Sequence, residues 1–124
     1  MSIKDQVRII QRVEKNVTEL QHRYASNHLA TLELHKLDTS LQKLTTYLND
    51  LDQLKPNYST NEIDTHIDAI NLHLDILKVE LEKKDYTRLD HGIKIIRTVL
   101  KFHPIKYSYF TFLAAWLYEM LYFI

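Results

Sequence analysis

Apolar residues recur along most of this chain at steps of four and three. Ile3, Val7, Ile10, Val13, Val17, Leu20 and Tyr24 form the first such stripe, with charged residues between them. This spacing returns each time to one side of an α-helix and predicts an amphipathic helix over residues 2–25. The stripe falters at Ala25-Ser26-Asn27-His28 and resumes in a different phase as Leu34, Leu37, Leu41, Leu44, Leu48 and Leu51. A phase change with Ser and Asn at the junction predicts a turn and a second helix over 28–53. The competing reading is one helix through both stripes, ~75 Å long at 1.5 Å per residue, which would need a partner of equal length.

Leu54-Lys55-Pro56-Asn57-Tyr58 interrupts the pattern, because a proline pushes its predecessor out of the helical region. Ser59 and Glu62 then have the spacing of a capping box. The helix they open carries Ile63, Ile67, Ile70, Leu74, Leu77 and Leu81 and is expected to end at Glu82-Lys83-Lys84-Asp85, where the lysines would complement a helix C-terminus. A fourth helix, from Tyr86 or Thr87 to about residue 102, sets Leu89, Ile93, Ile96 and Leu100 on one side. Gly92 inside it costs about 1 kcal/mol relative to alanine and reads as a point of close approach by another helix. His103-Pro104 stops that helix. Residues 107–124 (YSYFTFLAAWLYEMLYFI) are then apolar almost throughout, broken only by Ser108, Thr111 and Glu119.

Composition narrows this picture. One glycine and two prolines in 124 residues cannot supply the turns of a sandwich or barrel. The expected fold is therefore all-α: an antiparallel bundle of four long amphipathic helices plus an apolar, aromatic-rich C-terminal helix, forming a single domain over 1–124. Sixteen basic residues balance sixteen acidic ones, so the electrostatic footprint of a nucleic-acid binder is missing and no nucleic-acid partner is expected. The absence of cysteine excludes disulfides, thiolate catalysis and Cys-based zinc sites. The first residues, MSIKDQVRII, read as the start of an amphipathic helix rather than a secretory signal, so a cytoplasmic location is expected.

The middle of the chain resembles the YppE-like family, helical-bundle proteins of low-GC Gram-positive bacteria with no assigned activity. Lys55-Pro56-Asn57-Tyr58 with Ile63 is similar to that family's basic-Pro-x-Tyr turn and helix start, the helix 60–82 to its third helix, and Lys83-Lys84-Asp85-Tyr86 to its basic pair and aromatic residue before the last helix. The resemblance implies a four-helix bundle and a Gram-positive origin, which the Lys/Asn/Ile/Tyr-rich usage also suggests. Asp85 stands where the family has a basic residue, and the aromatic tail has no counterpart.

Candidate chemistry is sparse. Carboxylate-bridged di-iron bundles need two Glu-x-x-His motifs plus two further glutamates, and Glu19-Leu20-Gln21-His22 is one such motif without a second. His66 and His73 flank the apolar stripe of the third helix, which reads as surface histidines on a solvated side. No metal or other cofactor is expected. Arg97 and His103 have the arginine–histidine spacing of HEPN-type RNases, as do Arg23 and His28, and such a pair could polarise and protonate a phosphodiester. One glycine cannot build a Walker or dinucleotide loop. No residue is singled out as catalytic.

The remaining signal is the C-terminal segment. It would span ~27 Å as a helix, slightly less than a ~30 Å hydrocarbon core. Eight of its eighteen residues are aromatic, a composition suited to packed cores and protein interfaces. The leading expectation is a small non-enzymatic interaction protein, an adaptor, regulator or inhibitor, engaging a protein partner or a second copy through Tyr109, Phe112, Trp116, Tyr122 and Phe123. The alternative is a bacteriocin-immunity-like protein that meets a membrane complex through 107–124.

Overall fold

A computed structural model describes residues 2–54, 60–100 and 117–122, and their regular structure is helical throughout. The long helices are α1 (Ile3–Arg23), α2 (His28–Leu54), α3 (Thr60–Glu80) and α4 (Lys83–Leu100). Residues 117–122 form a further helical segment, α5. α1 packs on α2 and α4, and α3 packs on the same two helices from the other side. α5 lies against α1 and α4.

Local chemistry explains where α1 and α2 begin and why they are separate. Ser2 caps α1 by accepting the Asp5 N–H, and the Asp5 carboxylate accepts the Ser2 N–H in return. At the far end Tyr24 leaves helical geometry, and its N–H closes the last turn on the Leu20 carbonyl. Asn27 then caps α2, its side-chain oxygen accepting the Ala30 N–H at 3.1 Å. The phase change in the sequence is thus a tight turn of Tyr24–Asn27 between two helices. The Ser59 cap expected for α3 lies outside the described residues.

The stripes read from the sequence make the core. Leu34, Leu37, Leu41, Leu44 and Leu48 of α2 are fully buried, as are Ile70 and Leu77 of α3 and Leu89, Ile93 and Ile96 of α4. Each such side chain contributes about 1.5–3 kcal/mol through removal from water. The buried side of α1 is wider than its stripe and takes in Gln6, Ile9 and Asn16, because α2 and α4 cover it from two directions. Ile95 and Val99 broaden α4 in the same way.

The junction of α3 and α4 corrects the sequence expectation. α3 ends at Glu80 and α4 starts at Lys83, so Lys83 and Lys84 open α4 instead of closing α3. The stripe misleads here because Leu81 stays buried although it lies beyond the helix. The electrostatic complement to the start of α4 is Asp85, in its first turn.

Asp85 is also the centre of a polar knot. Its carboxylate is buried, meets Arg23 Nη1 at 2.5 Å and accepts the Tyr24 hydroxyl at 2.7 Å. The Tyr24 oxygen in turn accepts the Glu82 N–H at 2.9 Å. The α1–α2 turn and the α3–α4 junction are thereby tied together. At the opposite end of α1, the Gln6 amide donates to the Val99 carbonyl at 3.1 Å. Midway, Thr45 of α2 donates to Glu14 at 3.3 Å. Burial holds the Glu14 carboxyl above its ordinary value, against the Thr45 bond, and the Asp38 charge adds to the rise. Asp38 is also raised by burial, with His35 opposing.

Replacing Asp85 with Ala should cost about 2 kcal/mol, because it strips the acceptor from two donors at a buried site. Arg23→Ala should cost less than about 1 kcal/mol, since that side chain is 58% exposed. Urea denaturation of the two variants checks the order, and equal losses would contradict the role of the Asp85–Tyr24 bond. A raised carboxyl means that the folded chain holds the proton more tightly than the unfolded one. Glu14 therefore adds stability as pH falls from neutral through its raised value towards the ordinary 4.5. Glu14→Gln should raise the urea midpoint at neutral pH and flatten that acid-side gain.

Candidate functional site

Two residues of α5 seat it on the rest of the molecule. Glu119 is buried between two arginines one turn apart on α1, with Oε2 3.2 Å from Arg8 Nη2 and Oε1 3.5 Å from Arg12 Nη1. Tyr122, three residues later and so on the same side of the helix, settles on Gly92 of α4. A Cβ at Gly92 would stand 2.6 Å from the Tyr122 hydroxyl oxygen, 2.8 Å from Cζ and 3.0 Å from a methyl of Val13. The Tyr122 hydroxyl donates to the Arg88 carbonyl at 2.9 Å, and the ring stacks on His91 at 5.2 Å and 20°. Burial raises the phenol's pKa, with Arg88 and the Asn16 amide pulling the other way. The close approach expected at Gly92 is thus made, and the element that makes it is the C-terminal helix.

With Glu119 and Tyr122 turned inward, Leu117, Tyr118, Met120 and Leu121 are left exposed. Of the residues expected to contact a partner, Tyr122 is directed onto its own chain. Tyr109, Phe112, Trp116 and Phe123 lie outside the described residues.

Exposed apolar side chains also occur on α2 and α3, off the main stripes. Glu33 of α2 is buried and sits 2.6 Å from Nδ1 of His73 on α3, with Lys36 Nζ 3.9 Å from its other oxygen. His73 is mostly buried, which corrects its reading as a solvated surface residue: the flank of the α3 stripe is where α2 packs. His66 is half-buried against Tyr47 of α2, ring centroids 5.5 Å apart. Beyond the Glu33–His73 pair, Leu29 and Leu32 of α2 and Leu72, Ile76 and Val79 of α3 are all exposed. The usable signal was aliphatic residues off the main stripe, at 72, 76 and 79, with helical spacing of their own.

The remaining sequence candidates do not assemble a reaction centre on the described residues. Arg97 is half-buried on α4, and His103 lies outside those residues. Arg23 is engaged by Asp85, while His28 is exposed at the start of α2. Glu19 and His22 are exposed, and among the described residues no three His, Asp or Glu side chains gather as metal ligands would. A cleft of about 390 Å³ opens between α1 and α4, lined by Arg12, Lys15, Asn16, Glu19, Arg88 and Tyr122. Among the described residues no helix is long and apolar enough to cross a membrane.

No protein-family model matches the chain, and no curated protein or solved structure matches it either.

The Gly92 seat makes a signed expectation. On helix propensity alone, Gly92→Ala would stabilise α4 by about 1 kcal/mol. Here the methyl group displaces Tyr122 from its bond to Arg88 and from His91, so a net loss of about 1–2 kcal/mol is expected. In a Tyr122→Ala background the same change should become neutral or stabilising. Thermal unfolding of the four-member cycle checks this, and additivity would refute the seat.

Proposed function

We propose that this protein is a non-enzymatic interaction module. It is an antiparallel four-helix bundle that holds its aromatic C-terminal helix against α1 and α4 and offers the outer surface of that helix to a protein partner or a second copy. The observation that carries this reading is the division of labour within α5. A buried carboxylate and a seated tyrosine fix the helix from inside, while four large apolar side chains remain in water, Leu121 at 75% exposure. Apolar groups held outward on a fixed helix suit burial against another molecule. Phe112 and Trp116, with Tyr109 and Phe123, would extend that contact, and Tyr122 would serve as its anchor. Leu29 and Leu32 of α2 and Leu72, Ile76 and Val79 of α3 add further exposed apolar side chains. The bundle is what the resemblance to the YppE-like family implies, and a cytoplasmic setting accords with the reading.

The immunity-like alternative draws on the same outward residues, because an amphipathic helix can lie in a lipid interface without crossing it. The two readings separate by experiment. A photo-crosslinking residue at position 121 should give discrete protein adducts in cells that one at position 94 does not give. Leu117→Ser should suppress them, with melting temperature unchanged. Adducts indistinguishable between the two positions would reject the interaction reading. Co-sedimentation of the full chain with anionic vesicles, abolished by Leu117→Ser/Leu121→Ser, would favour the membrane reading.

A further inference from the structure

We propose that this protein assembles head to tail, the outward side of α5 on one copy packing against the outward side of α3 on the next. The inference rests on the reading of α5 as a contact surface and names its partner as a second copy of the chain. Its basis is how charge and exposed apolar groups divide over the bundle. α1 and α4, which pack on each other, carry ten basic and five acidic residues. α2 and α3, also neighbours, carry three basic and nine acidic residues. A chain with no net charge is therefore positive on one pair of helices and negative on the other.

The exposed large apolar side chains follow the same division. Among the described residues all nine belong to α5, α2 or α3, and α1 and α4 have none. Leu117, Tyr118, Met120 and Leu121 stand on α5, which lies against the basic pair and beside the exposed Arg8 and Arg12. Glu119 offsets only one of those two charges, and Lys4 and Lys15 are exposed on the same helix. On α3, Leu72, Ile76 and Val79 follow one another at steps of four and three and so share one side of the helix, with Val79 85% exposed. Asp68 and Asp75 are exposed on that side too, each one helical turn before Leu72 or Val79. Each surface thus combines apolar groups with charge, and the sign is opposite on the two. Joining α5 to α3 buries apolar area on both and sets basic groups against acidic ones. α5 on α5 would bring arginines together, and α3 on α3 aspartates, so like-on-like contacts are disfavoured. A contact between two different surfaces leaves one of each still open, and so continues into chains or closed rings instead of stopping at a two-fold dimer.

The test is sedimentation equilibrium of the full chain over a range of concentrations, beside two variants. Leu117→Ser/Leu121→Ser removes the α5 surface and Leu72→Ser/Val79→Ser the α3 surface; all four side chains are exposed, and melting temperature checks that each variant folds. The wild-type mass should rise beyond that of a dimer with concentration and fall back in about 0.5 M sodium chloride. Each variant alone should be monomeric. Their equimolar mixture should form one-to-one dimers and nothing larger, because one intact α5 then meets one intact α3. A two-fold α5 contact would leave the Leu72→Ser/Val79→Ser variant dimeric and would overturn the proposal. So would a wild-type chain that stays monomeric up to about 1 mM, a variant mixture without dimers, or a monomer that sediments with anionic vesicles. Should crosslinks from position 121 in cells then join a different protein, α5 remains a contact surface and only the second copy is refuted; should they join none, both readings fail.

Discussion

The constraint on which this fold depends is register. Its helices meet through long stripes of leucine, isoleucine and valine, and such stripes are nearly self-similar when one helix slides by a turn along another. Burial drives the helices together but discriminates weakly between neighbouring registers. Polar contacts with fixed geometry make the choice. Asp85 accepts from Tyr24 only where the start of α4 stands level with the end of α1. Gln6 reaches the Val99 carbonyl only where the other ends of those two helices align. Glu33 and His73 do the same for α2 and α3. A slip by one turn would leave all three contacts unmade in a dry interior, which is far more costly than the loss of a few methyl contacts.

This also explains what could be read from the sequence. The stripes are local, periodic and redundant, so Leu34 to Leu48, Ile63 to Leu81 and Leu89 to Leu100 announce their burial without any knowledge of partners. Gln6, Asn16, Glu33, Asp85 and Glu119 do not, because each looks like an ordinary surface residue until a distant segment arrives to match it. The α3–α4 boundary differs from the stripe for a related reason: Leu81 continues the apolar rhythm one residue past the end of α3. Gly92 was legible only as an anomaly. A lone glycine inside a good helix signals a close neighbour but does not name it, and Tyr122 lies thirty residues further on.

The surface is asymmetric in what it offers. Around α5 the exposed apolar residues stand beside arginines, lysine and a polar cleft. On α2 and α3 they are aliphatic and neighbour in sequence the histidine that contacts Glu33. A neutral chain thus carries two unlike apolar regions on different helix pairs, and mixed charge over the rest of the described surface keeps each region local.

α1 has a further consequence, which concerns time. It is made before the other described helices, yet residues that complete its packing come much later in the chain. Gln6 waits for a carbonyl 93 positions downstream, and Arg8 for a carboxylate 111 positions downstream. At about 5–20 residues per second, synthesis keeps one side of α1 unmatched for on the order of 5–20 seconds. The α1–α2 hairpin can form during that interval, but the sides that meet α3 and α4 are still uncovered. Completion of α1 therefore waits on α4 and α5, and until those segments are made its unmatched side is open to premature association.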